Sequence, residues 1–250
     1  MEDKNRIEGD VKISSPIMKK LENFWYHYKI HTIAALFAVV VLTILLVQTC
    51  SRVSYDAHIL YAGGYEIKHT ASGGDLAPYV KMTSALKSVC DDVNDDGAVN
   101  VSLLNLFVIN DAEAQELIKD NPSLEINSTL VGQDSERLGQ NLLYGDYYVC
   151  FLSERIFREY DERYEGALFA PLAKYIPDGV ECEMVNERGV YLSSLAIYSQ
   201  PEISKLPPDT VVCLRSLSDF SSSVGKAKNQ AAFTRGEKII INIFAYGKDK

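Results

Sequence analysis

The chain has 250 residues, of which 47% are hydrophobic, and it carries a formal net charge of -9. This length is enough for one medium domain or two small ones with a sizeable core. The acidic balance argues against nucleic acid as a partner, because binding phosphates requires clustered Lys and Arg side chains.

The clearest feature of the sequence is an apolar segment between Lys29 and Arg52. It contains no Asp, Glu, Lys or Arg, and it is about as long as the hydrocarbon core of a bilayer requires of a helix. The segment therefore predicts a single transmembrane helix over residues 30–51.

The residues that flank this segment predict its orientation. Three aromatic side chains suited to the headgroup region precede it: Trp25, Tyr26 and Tyr28. Three lysines also precede it, whereas only Arg52 follows closely. The positive-inside rule therefore predicts a cytoplasmic segment at residues 1–29 and an extracytoplasmic domain at residues 52–250 of a cell-membrane protein.

Two alternatives to a retained anchor concern the same region. A cleaved signal peptide starts with a short basic segment, whereas residues 1–29 form a longer segment with five acidic side chains. A lipoprotein would be acylated at Cys50, but the bulky Gln48 and Thr49 before it fit a lipobox poorly. We therefore expect an uncleaved, single-pass anchor.

The outer domain, residues 52–250, is the acidic part of the chain, and it holds four of the five cysteines. No two of them form a CxxC pair, which argues against a zinc knuckle. Cys150 and Cys213 lie in apolar runs, which is typical of buried free thiols. Together with Cys90 and Cys182 they make an even number, so two disulfides are the alternative.

The first part of the outer domain predicts a strand, a helix and a second strand. Residues 55–62 alternate and are rich in strand formers, and Gly63 and Gly64 follow them. Apolar residues at spacings of three and four predict a helix that begins near Asp75. Residues 99–109 are branched and uncharged, which predicts a strand buried on at least one face.

The alternation continues towards the C-terminus. We predict helices at residues 111–120, 128–144, 154–163 and, weakly, 221–233. We predict strands at residues 147–152, 189–197, 211–215 and 238–246. Ser153 is placed to cap the helix that follows it. This order favours an α/β sandwich with a mainly parallel sheet, preceded by the single N-terminal transmembrane helix.

Two stretches carry a resemblance to a known family. The segments SERLGQNLLYGDYYVCFLSERIF and RGVYLSSLAI follow a strand, a long helix and a second strand. Over residues 55–217 this order resembles type 2 extracytoplasmic solute-binding proteins, which implies a ligand-binding lobe with a strand lining a cleft. The chain is short for two lobes, so the resemblance implies a reduced lobe. The segment KKLENFWYHYKIHT resembles the start of uncharacterised single-pass membrane proteins of Gram-positive bacteria.

The stretch DDVNDDGAVN resembles the first half of a calcium loop. Side chains with oxygen atoms fall at positions 1, 3, 5 and 9 of such a loop: Asp92, Asn94, Asp96 and Asn100. Gly97 occupies the sharp-turn position, but Leu103 stands where the final acidic ligand belongs. An ordinary helix-to-strand turn explains the same residues. The stretch therefore predicts either a structural calcium site or a plain turn, and we expect no other cofactor.

Catalytic motifs are sparse. Ser84-x-x-Lys87 and Ser223-x-x-Lys226 match the nucleophile pair of penicillin-interacting enzymes, although neither is accompanied by SDN or KTG elements. Ser and Lys at this spacing also occur by chance on a solvated helix face. We name no catalytic residue, and an enzyme is less favoured than a binding protein.

Our leading interpretation is a membrane-anchored extracytoplasmic module that binds an unidentified small molecule, peptide or protein. The alternative is a structural or accessory membrane protein that contacts only other proteins, and a Ser–Lys hydrolase comes third. A polar cleft at the carboxyl ends of the strands would favour the first. A flat apolar or tyrosine-rich surface would favour the second.

Overall fold

A computed structural model of the chain describes residues 16–50, 54–67, 76–217 and 225–248. The chain divides into two compact units, Met1–Val53 and Ser54–Lys250. Each unit is described separately below.

The first unit contains one long helix, α1, at Pro16–Cys50. Its segment Asn23–Val47 has a mean hydropathy of 2.7, and none of it is buried. A helix of this length and composition is long and apolar enough to cross a membrane.

In the part of the second unit that the structure describes there are six strands and five further α-helices. The strands are β1 (Ala57–Gly63), β2 (Val101–Phe107), β3 (Val149–Ser153), β4 (Met184–Asn186), β5 (Gly189–Tyr191) and β6 (Thr210–Leu214). The helices are α2 (Ala77–Leu86), α3 (Asp111–Asp120), α4 (Ser128–Tyr144), α5 (Glu154–Arg163) and α6 (Lys226–Ala245). Short 3-10 turns connect several of these elements.

The strands form one six-stranded sheet in the order β2-β1-β3-β6-β5-β4. β1 runs parallel to both of its neighbours, β2 and β3. β6 is antiparallel to β3, and the remaining pairs are antiparallel as well. The α/β class is therefore confirmed, and the sheet is mixed, with its parallel part at β2-β1-β3.

Alternate residues of each strand point to opposite sides of the sheet. Both faces therefore present apolar side chains, and helices pack on both. On one face Ile59, Tyr61 and Phe151 pack with residues of α2 and α6. On the other face Leu60 and Leu152 pack with residues of α4 and α5. The central strands are buried on both sides, which is why their sequences are almost continuously apolar.

The predicted closing strand at residues 238–246 is wrong, because these residues belong to α6. The run of isoleucines favoured a strand, since branched side chains fit a pleated surface. The buried residues of this part of α6 recur with helical spacing: Gly236, Ile239, Ile240, Ile243 and Phe244. Ile241 points to solvent at 41% exposure. The predicted strand at 189–197 is also shorter, since β5 ends at Tyr191 and 3-10 turns follow.

The buried guanidinium of Arg215 caps the carboxyl end of α4. Arg215, only 1% exposed, donates from Nη1 to the carbonyl of Leu142 at 3.2 Å and from Nη2 to the carbonyl of Gly145. Its guanidinium also lies over the ring of Tyr148, 4.3 Å from the centroid. Carbonyls at a helix carboxyl end carry partial negative charge, so they stabilise a cation there.

Candidate functional site

The loop between α2 and β2 contains all four residues of the predicted calcium site. Three of their side chains accept backbone N–H groups of the same loop. Asp92 accepts from Gly97 at 2.8 Å, and Asp96 accepts from Ala98 at 2.9 Å. Asn94 accepts from the N–H of Asp96 at 2.9 Å. These bonds make a series of side-chain turns.

The backbone angles of this loop and the side chains around it also bear on whether it could hold a metal ion. Asp95 and Gly97 have φ values of 54° and 80°, so the chain turns through the left-handed region twice. Among the described residues, no three His, Cys, Asp or Glu side chains are grouped so that they could hold a metal ion. Calcium binding by Asp92, Asn94, Asp96 and Asn100 stays a prediction.

Asp56 holds this loop from outside it. Its carboxylate accepts the N–H of Val93 at 3.0 Å and the N–H of Asn100 at 2.8 Å, and Asp56 is only 2% exposed. The backbone N–H of Asp56 donates in turn to the carbonyl of Asn100 at 2.9 Å. The sequence analysis missed Asp56. The sequence did carry a signal, because Asp56 directly precedes a buried strand. A carboxylate buried there without hydrogen-bond partners would destabilise the fold, so partners were to be expected.

The carboxyl ends of β1, β2 and β3 meet at one edge of the sheet, which we call the carboxyl edge. Because β6 is antiparallel, it begins at this edge with Thr210. In the order β2-β1-β3 the chain connections leave β1 in opposite directions, and such a switch point, here between β1 and β3, is where open α/β sheets bind their ligands. Gly63 is the last residue of β1 there and Gly64 follows it, and a Cβ on Gly63 would come within 2.8 Å of the Tyr61 hydroxyl.

Two hydroxyl groups at the carboxyl edge are buried without a partner. Ser153 and Thr210 are directly opposed in register across β3 and β6, and they are 8% and 1% exposed. Neither hydroxyl oxygen has a hydrogen-bond partner among the described residues. The predicted cap is therefore wrong, because the Ser153 side chain makes no bond to the first turn of α5. Buried polar groups normally have partners, so this pair is a candidate for contacts with a ligand.

Charged groups surround these hydroxyls. Burial raises the pKa of the Asp209 carboxyl, and the neighbouring Glu154 and Glu113 raise it further. Arg155 pairs with Glu113 at 2.8 Å and ties α3 to α5. Burial also raises the pKa of Tyr61, whose hydroxyl accepts the backbone N–H of Tyr65 at 3.2 Å. The edge therefore offers neutral hydroxyls and an acidic rim.

A polar cleft lies at the opposite edge, where β1 and β3 begin. It consists of two small adjoining pockets, each with about 10 Å³ of space and a mouth open to solvent, and both are lined by Asp56, Arg235 and Ile239. His58 and Asp146 line the first of them. We call this the amino-edge cleft. No spacing in the sequence linked Arg235 of α6 to β1, so the sequence analysis missed the cleft.

The two Ser–Lys pairs are not brought into either pocket. Ser84 lies exposed on α2, and Lys87 lies exposed in the following 3-10 turn. Lys226 is the exposed first residue of α6, and Ser223 lies outside the described residues. The hydrolase hypothesis receives no support from this geometry.

The fold and its two edges define an α/β protein that carries one long apolar N-terminal helix. Comparison of the chain with protein families, with curated proteins and with solved structures finds no match.

Proposed function

We propose that the protein is a membrane-anchored module whose extracytoplasmic α/β domain binds a ligand at the carboxyl edge, between β1 and β3. In this proposal α1 is the single-pass anchor, with the N-terminus in the cytoplasm. The ligand is a small molecule or a peptide that presents polar groups to the hydroxyls of Ser153 and Thr210.

The orphan hydroxyl pair carries the proposal. Each hydroxyl can donate one hydrogen bond and accept others, and leaving it buried and unpaired costs about 1–3 kcal/mol. The first turn of α5 lies beside them without a side-chain cap from Ser153. The N–H of Glu154 already donates to the carbonyl of Asp209 at 3.0 Å, and the other N–H groups of this turn and the positive end of the helix dipole favour a ligand oxygen. Local geometry and chemistry thus agree on a polar ligand.

One observation favours the alternative, an accessory protein that only contacts other proteins. None of the ten residues of α3 is buried, although Asn110 and Glu113 cap the helix well. Ile118 on this helix is 44% exposed, and Leu124 in the following loop is 37% exposed. A contiguous patch of exposed apolar side chains is typical of protein contacts, and these two residues are candidates for one. The same fold could serve both functions.

The test is a ligand screen by thermal unfolding of the full chain in detergent micelles, using amino acids, dipeptides and simple sugars as probes. The double variant Ser153→Ala, Thr210→Val removes both hydroxyls, and Ser84→Ala is the matched control at an exposed serine. We expect a probe that raises the Tm of the wild type and of the control but not of the double variant. A panel without any stabilising probe, or equal stabilisation of all three chains, would contradict the proposal.

A further inference from the structure

We propose that the amino-edge cleft is a second binding site, in which Arg235 holds a small carboxylate. This site is independent of the carboxyl edge, since the two lie at opposite ends of the strands. The inference rests on the unpaired guanidinium of Arg235, on the engagement of Asp56 and Asp146 with other groups, and on the size of the space.

Arg235 differs from the other arginines whose side chains the structure describes. Six arginines with described side chains pair with carboxylates or backbone carbonyls: Arg137, Arg155, Arg158, Arg163, Arg188 and Arg215. Within the described ranges, the structure records no hydrogen bond or ion pair for Arg235, although its side chain is half-buried. Removing a cation from water without a counter-charge is costly, so an anion would stabilise it.

The nearby carboxylates are committed elsewhere. Both oxygens of Asp56 accept backbone N–H groups of the neighbouring loop. Asp146 forms an ion pair with Lys228 at 2.7 Å. Lys238 lines the second pocket beside Arg235, and Asp91 is the remaining acidic residue there. Arg235 and Lys238 are thus the cations of the cleft that are available to an incoming anion, and of the two only Arg235 lines both pockets.

The space in the cleft suits a small anion. Each pocket has room for about one water-sized atom, about 10 Å³, and opens to solvent. A carboxylate matches the two parallel donors of a guanidinium. One carboxylate oxygen fills this room, whereas the remainder of the ligand lies in the mouth.

His58 reports on the occupancy of this site. Its ring lies against Tyr55 at 5.9 Å and Tyr147 at 5.6 Å between centroids. Burial lowers the pKa of His58, Asp146 opposes this effect, and Arg235 and Lys228 lower the pKa further. A carboxylate on Arg235 would offset the charge of that guanidinium and so raise the pKa of His58. By linkage, the anion binds more tightly when His58 is protonated.

The experiment follows the pKa of His58 by NMR in the full chain, labelled selectively at its four histidines, in detergent micelles. Acetate is the probe, phosphate is the bulky probe, and chloride at equal ionic strength is the baseline. We expect acetate to raise the pKa of His58 by about 1 relative to chloride. We expect no rise in Arg235→Gln and an unchanged rise in the matched control Arg137→Gln.

A second variant keeps the test decisive if Arg235→Gln does not fold. Arg235→Lys retains the charge but loses the two parallel N–H donors of the guanidinium. This variant should therefore bind acetate at least tenfold more weakly (about 1.4 kcal/mol). The proposal is overturned if acetate has no effect beyond chloride, or if the rise persists in both Arg235 variants. A rise with phosphate but not with acetate would also overturn it.

Discussion

Asp56 and Asn100 are 44 residues apart in the chain, and the carboxylate of Asp56 accepts the N–H of Asn100 at 2.8 Å. The same carboxylate accepts the N–H of Val93, so one side chain fastens both ends of the loop between α2 and β2. Hydrogen bonds to a charged group are stronger than neutral ones, and burial strengthens them further. Asp56 therefore organises the loop that the sequence presents as a calcium-binding motif.

Replacing Asp56 should destabilise the domain. In Asp56→Ala, two partly buried N–H groups lose their charged acceptor, so we expect the free energy of unfolding to fall by about 2–4 kcal/mol. Asp91→Ala is the matched control, because Asp91 is exposed at the same loop, and its effect should stay within about 0.5 kcal/mol. Chemical denaturation of the full chain in micelles measures both. Equal stability of the two variants would show that the loop does not depend on Asp56.

The calcium hypothesis makes a separate prediction about the same loop. If Asp92, Asn94, Asp96 and Asn100 bind calcium, the Tm must be higher in millimolar calcium than in EDTA, because the ion binds only the folded state. Asp96→Ala should then remove the difference. Melting curves that coincide in EDTA and calcium would leave the loop as a turn held by backbone N–H groups.

Arg215 should be essential for the stability of the second unit. In Arg215→Met the side chain keeps much of its length, but the carbonyls of Leu142 and Gly145 lose their donor. We expect a loss of about 2–4 kcal/mol in the free energy of unfolding. Arg158→Met is the control, since it removes an exposed ion pair that contributes little. A loss below 1 kcal/mol for Arg215→Met would contradict the capping role.

His58 makes stability depend on pH. Its pKa in the folded protein lies below the ordinary value of 6.5, so the unfolded chain takes up a proton first as the pH falls. This contribution to stability is fully present above pH 6.5 and is lost as the pH falls through 6.5 towards the folded pKa. His58→Gln should flatten this part of the profile, measured by chemical denaturation from about pH 8 to pH 5. A steeper decline in the variant would reverse the assigned sign.

The membrane orientation can be tested in intact bacterial cells. A tag at the C-terminus should be removed by protease added outside, whereas a tag at the N-terminus should be protected until the cells are lysed. The reason is the excess of lysines before the apolar helix. The cell wall can shield a tag from protease, so the assay is repeated after the wall has been removed. A C-terminal tag that is still protected would place the α/β domain in the cytoplasm.

Local patterns were sufficient for much of the fold. The helix predicted at residues 128–144 matches α4, because Leu138 and Leu142 repeat on one face and the flanking residues mark its ends. The buried strands were readable because their apolar runs are short and bounded by turn residues. The apolar segment of α1 was equally clear from length and charge alone. These signals depend on neighbours within a few residues.

The candidate sites depend on contacts between distant residues, which such patterns do not encode. Ser153 and Thr210 oppose each other because β3 and β6 pair in one register, and a shift of one residue would separate them. Arg235 reaches the cleft beside His58 because the isoleucine-rich C-terminal segment is a helix and not a strand. Residues with ordinary local surroundings thus meet through the packing of the sheet and its helices, and that packing creates both edges where we expect ligands to bind.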